Sequence, residues 1–303
     1  MQTTKGRRVQ KLRRPRAAGW IMLTPALLGV AIIAIYPLVY TIAVSLTRSS
    51  LGQPFQEFVG INQLVAAFTG DATLASVVRS LTFALPSAVI AVVLGLIIAL
   101  ALQRGVRKGK FIRVVLLLPL MTPPVMVGVI WKLMLTPTGG LFNNVLRSFD
   151  FINEPVLFLG SSPMAMISLV LVDVWQWTPF CVLLIYAGLQ GLPVEVYEAA
   201  QVDGATPFRL LRSVVLPLLA PTIATVLLLK TILSFKVFDL VFIMTSGGPG
   251  LDTTVASYQI YKTTLEKFDL GAAGAQTIVF LILVTVVILP LSGLRSKVTK
   301  AVQ

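Results

Sequence analysis

The stretch SLTFALPSAVIAVVLGLIIALALQ, from Ser80 to Gln103, carries no charged side chain across 24 residues. A helix needs about 20 predominantly apolar residues to cross the hydrocarbon core of a bilayer. Comparable stretches recur along the chain. Spans are expected at 19–46, 80–103, 111–135, 165–189, 214–240 and 270–294. The expected fold is an all-α membrane protein with six transmembrane helices, a basic arm at 1–18 and one helical domain at 19–303. Composition agrees, with 56% hydrophobic and 12% charged residues against about 25% charge in soluble domains. The first span starts at Gly19-Trp20, lacks a signal-peptide cleavage pattern and reads as a retained helix.

Every span contains proline: Pro25 and Pro37, Pro86, Pro119 with Pro123-Pro124, Pro179, Pro217 with Pro221, and Pro290. Each removes a backbone donor and kinks its helix. Neighbouring helices or a wet cavity must then satisfy the freed carbonyls.

The net charge is +13, and its placement excludes nucleic acid as a partner. Basic residues cluster beside apolar segments instead of forming a stripe with interleaved aromatics. Lys5, Arg7, Arg8, Lys11, Arg13, Arg14 and Arg16 precede the first span. Arg104, Arg107, Lys108, Lys110 and Arg113 join spans two and three. Arg209 and Arg212 join spans four and five, and Arg295, Lys297 and Lys300 follow the last. These seventeen lie on one side, against five on the other (Arg48, Arg79, Arg147, Lys262, Lys267). The positive-inside rule places the first side, with both termini, in the cytoplasm of a cell that holds this chain in its inner membrane.

Other chemistry is thinly supported. There is no histidine and a single cysteine, Cys181, so a zinc site and histidine acid–base catalysis are both disfavoured. No Gly-x-x-x-x-Gly-Lys-Ser/Thr loop is present; Gly105 to Lys110 has the wrong spacing.

The connection between spans four and five, about 190–213, reads Gly191-Leu-Pro-Val-Glu-Val-Tyr-Glu-Ala-Ala-Gln-Val-Asp-Gly-Ala-Thr-Pro-Phe208. Pro193 suits a first helical turn, and Glu195 and Glu198 suit its positive end. Gly204 can adopt the left-handed conformation that ends a helix. Thr206-Pro207 reads as an N-cap and first-position proline of a second helix. Local chemistry alone is also compatible with a plain solvated connection.

The string Glu198-Ala199-Ala200, Asp203-Gly204-Ala205 and Leu216-Pro217 closely resembles the cytoplasmic loop of permease subunits of binding-protein-dependent ABC importers. Tyr36-Pro37, Trp175 to Pro193, and Ser246-Gly247-Gly248-Pro249-Gly250 resemble the carbohydrate-uptake class, especially its maltose type. The resemblance implies a type I importer permease architecture and a non-catalytic transport subunit. It implies a second homologous permease, two cytoplasmic ATPase subunits that bind ATP and magnesium, and an extracytoplasmic solute-binding protein. The chain itself would need no cofactor. Glu198, Ala199, Ala200, Asp203 and Gly204 would couple to the ATPase. Gln176, Trp177, Phe180, Lys230, Ser234 and Val237 would line a substrate path. Independently, Lys230, Ser234 and Val237 share one helix face, a mid-span lysine is costly unless it faces protein or water, and aromatic faces suit sugar rings.

Lys230 and Val237 replace amide positions of the maltose pattern, which raises an acidic or phosphorylated cargo as an alternative. Lys236 and Asp239, three residues apart, are expected to neutralise each other, while Asp173 can either pair with a basic residue or face the path. An ion-coupled secondary transporter is the competing class, with Asp173 and Asp239 as its only midplane acids.

Overall fold

The computed structural model describes residues 16–105 and 116–302 and is mostly helical. The long helices are α1 (Arg16–Ser45), α3 (Asp71–Gly105), α7 (Met164–Gln190), α10 (Leu216–Phe235) and α12 (Leu270–Val302). Between them lie α2 (Asn62–Thr69), a helical piece α4 at 116–121, α5 (Pro124–Met134), α6 (Leu141–Ser148), α8 (Val194–Val202), α9 (Pro207–Leu210) and α11 (Ala256–Tyr261). Single π-helical turns occupy Leu211–Val215, Val241–Thr245 and Lys262–Glu266.

Among the described residues, five segments are long and apolar enough to cross a membrane: Met22–Ser45, Asp71–Gln103, Met164–Gln190, Pro207–Phe235 and Leu270–Lys300. The expected span at 111–135 differs. Residues 111–115 lie outside the described residues, and the remainder is broken between α4 and α5. Pro123 is extended (φ −56°, ψ 139°) and Pro124 opens α5, so consecutive prolines interrupt the hydrogen-bond ladder there. The arm at 1–15 and the cluster from Arg107 to Arg113 also lie outside the described residues.

The all-α expectation needs one amendment. Strands β1 (Thr47–Ser50) and β2 (Gln53–Phe58) form an antiparallel hairpin, with Thr47 opposite Phe58 and Arg48 opposite Glu57. A second difference is the length of α3, which begins at Asp71 instead of residue 80. At about 1.5 Å per residue it outruns a hydrocarbon core of about 30 Å, so its first turns belong to the hairpin end of the bundle.

The core lies between α3, α7 and α10, where Phe83, Leu169, Ile185, Leu189, Leu219 and Val226 are buried. Small residues let these helices approach, as membrane packing requires. A Cβ at Gly95 of α3 would fall 2.6 Å from the Cβ of Cys181 in α7. Helices α1 and α12 pack together at the margin. Trp20, Met22, Ile33 and Tyr36 of α1 are exposed, which suits a lipid-facing helix.

Candidate functional site

A cavity of about 240 Å³ opens beside α7, where α10 ends and the chain turns into Val241–Thr245. Its lining includes Asp173, Gln176 and Trp177 of α7, and Lys236, Val237 and Asp239 of the turn. Gln176 is 2% exposed. Its Nε2 donates to the Thr122 carbonyl (3.2 Å), satisfying a backbone group freed by the proline break. Its Oε1 is buried and has no partner. A buried amide oxygen left unpaired is costly, so this position at the cavity wall favours a hydrogen-bond donor. Trp177 is half-buried, with the edge of Phe180 set at 87° to it and a ring separation of 6.0 Å.

Lys230 and Ser234 sit behind this wall, not in the lining. Lys230 is 0% exposed. Its Nζ lies 2.5 Å from Asp173 Oδ2, 2.7 Å from Ser234 Oγ and 3.3 Å from Ser87 Oγ of α3. Ser87 also donates to the Asp173 carboxylate. Lys230 Nζ lies 5.7 Å from the Trp177 ring centroid, within cation–π range. The network thus ties α3, α7 and α10 together and backs the aromatic wall. Asp173 satisfies both possibilities left open by the sequence: it pairs with Lys230 and lines the cavity.

The expected Lys236–Asp239 pairing does not occur. Ion pairs among the described residues are Arg48–Glu57 and Lys230–Asp173. Lys236 and Asp239 instead both border the cavity, and neither side chain has a hydrogen-bond or ionic partner among the described residues. Helix α10 ends at Phe235, and Lys236 adopts a turn conformation (φ −85°, ψ 4°), so regular i, i+3 helical geometry is lost between them.

Beyond the C-terminal end of α7, Pro193 immediately precedes α8 and Gly204 takes a left-handed conformation (φ 70°). Thr206 Oγ1 accepts from the Arg209 N–H (3.4 Å), and Pro207 occupies the first turn of α9. Ala200 is buried, and Gln103 Nε2 at the end of α3 donates to the Tyr197 hydroxyl (3.1 Å). Glu198, Ala199, Asp203 and Gly204 face outward beside exposed Val194, Val202 and Phe208. Apolar side chains presented together on a short helical hairpin suit contact with another protein.

Residues 91–300 match the model of the family described as binding-protein-dependent transport system inner membrane component. The chain belongs to this family of permeases. The trehalose/maltose transport system permease protein MalF of Thermococcus litoralis is 33% identical over 93% of this chain and 96% of its own. The sulfoquinovosyl glycerol transport system permease protein SmoG of Agrobacterium fabrum is 32% identical, over 90% and 91% of the two chains. A bacterial ABC transporter that imports the acidic polysaccharide alginate shares the fold, with a TM-score of 0.81 at 22% identity over 93% of this permease and 96% of that chain. The permease is accordingly an integral membrane, non-catalytic transport subunit.

Of the path residues expected from sequence, the structure brings Gln176, Trp177 and Val237 to the cavity. Phe180 packs on Trp177, and Lys230 and Ser234 stand behind. Sequence reasoning did not place Lys236 and Asp239 at the cavity or include Ser87 in the network. The helix break after Phe235 was the missing signal, since a regular helix would have paired the first two.

Proposed function

We propose that this permease forms half of the path of an ATP-driven importer for a carbohydrate, whether sugar, oligosaccharide or polyol. The carrying observation is the cavity, where an aromatic face and an unpartnered buried amide oxygen stand together. That pairing fits a sugar ring, which offers an apolar face and hydroxyl donors. The 33% identity to a trehalose/maltose permease supports the same class.

In this reading six spans cross the membrane, the sixth formed by 111–135 despite its break. The seventeen-to-five distribution of basic residues puts both termini and α8 in the cytoplasm. Helix α8 and the Gly204 turn, through Glu198, Ala199 and Asp203 with Ala200 packed inward beneath them, seat in one of two ATPase subunits, which bind ATP and magnesium. A second homologous permease completes the path, and an extracytoplasmic binding protein delivers cargo at the hairpin end.

The test is uptake by proteoliposomes carrying the complex purified through this chain. Labelled saccharides should enter only with ATP on the cytoplasmic side and binding protein on the other. Uptake driven by an ion gradient without ATP would establish the secondary-transporter class instead.

A further inference from the structure

Charges near the cavity fall into two groups. Lys230 is neutralised by Asp173 at 2.5 Å and held by Ser87 and Ser234, so it offers an incoming anion no free charge. Lys236 and Asp239 are opposite in sign and unpartnered, and both line the space. The wall is therefore balanced, with acceptors in excess. Asp239 supplies a carboxylate, Gln176 an orphaned Oε1, and Asp173 has only Oδ2 engaged. Lys236 is the one charged donor among the described lining residues. An anionic cargo would meet one free ammonium and one free carboxylate, which cancel, whereas hydroxyl groups both donate and accept. The volume of about 240 Å³ falls below the roughly 300–1,000 Å³ of drug-sized sites, which suits one wall of a path that a second permease completes.

We infer that Lys236 and Asp239 contact the cargo directly and select an uncharged, hydroxyl-rich ring, seated against Trp177 with Gln176 Oε1 accepting one hydroxyl. This rests on the reading of the cavity as a cargo site. Lys236 donates to a ring or hydroxyl oxygen and Asp239 accepts from neighbouring hydroxyls. Loss of either should lower throughput about tenfold, the equivalent of one good hydrogen bond.

The experiment measures maximal uptake by proteoliposomes of the assembled complex with saturating binding protein. The probes are neutral saccharides and polyols (maltose, trehalose, glucose, glycerol) and anionic counterparts (glucuronate, glucose 1-phosphate, glycerol 3-phosphate). The transported probe should be neutral. Lys236→Met and Asp239→Asn should each reduce its rate about tenfold, with the complex recovered at wild-type yield, and Lys236→Arg should retain most of it. An anionic probe as the transported species overturns the inference. Unchanged rates for Lys236→Met and Asp239→Asn also overturn it; if Trp177→Ala is impaired at the same time, the cavity reading survives. Unchanged rates for all three, or transport of none of the probes, overturn both.

Discussion

Replacing Lys230 by methionine keeps the bulk of the side chain but strips Asp173 of its ammonium partner. At an effective dielectric constant of about 20, the gross attraction across 2.5 Å is about 7 kcal/mol. Desolvation of both groups offsets much of this, so the pair contributes far less in net terms. Removing one member is another matter, because it strands a buried charge at a cost of about 3–5 kcal/mol. Ser87 still donates to the carboxylate in the variant, which favours the lower end of that range. Asp173→Asn should cost a similar amount by stranding Lys230, whose side chain is 0% exposed. In Lys230→Met/Asp173→Asn no charge remains, and the combined loss should fall at least about 2 kcal/mol short of the sum. The assay is the thermal midpoint of the assembled complex in nanodiscs, followed by size exclusion after heating. Both single variants should melt well below wild type and the double variant should recover part of the difference. Single variants that melt with wild type, or strictly additive losses, would refute the buried-pair account.

Other expectations follow from the same geometry. Gly95→Leu forces atoms into a site where even a Cβ lies 2.6 Å from Cys181; α3 and α7 should separate, and recovery of folded protein from membranes should drop severalfold. Gly204→Ala meets no atom within 4 Å and should cost about 1–2 kcal/mol locally for the left-handed backbone; Gly204→Asp adds a charge at the proposed ATPase contact and should abolish uptake while still inserting, as judged by uptake and membrane yield. For topology, exposed Ser148 and Asp252 replaced by cysteine should react with impermeant maleimide outside intact cells, and Asp203→Cys only after permeabilisation. Native Cys181 is buried and should not interfere, whereas Thr253, at 0% exposure, would make a silent reporter.

The parts of the molecule governed by local physics were legible from the sequence. Five membrane-length helices follow from long, predominantly apolar runs, and the left-handed Gly204 and capping Thr206 were readable to the residue because each acts within a single turn. The hairpin at 47–58 was not, since TRSSLGQPFQEF lacks a clean alternation of apolar and polar residues. The role of Lys230 was only half visible. Its position within a span signalled burial, but Asp173 lies 57 residues away on another helix, and no local pattern specifies that pairing. Lys236 and Asp239 misled for a related reason: three-residue spacing predicts contact only where the helix continues, and α10 ends at Phe235. The tandem Pro123-Pro124 did announce a break, yet only the fold shows Gln176 satisfying the Thr122 carbonyl it frees.

The central claim is that one chain joins a cargo cavity beside the middle of α7 to an ATPase-docking segment that follows its C-terminal end. Uptake and ATP hydrolysis measured together on the same proteoliposomes test it most directly. Trp177→Ala should lower sugar uptake about tenfold while binding-protein-stimulated hydrolysis persists, because the defect lies in the path. Glu198→Lys should abolish both, because the defect lies in docking. Wild-type uptake and hydrolysis in both variants, with the complex intact, would contradict the account.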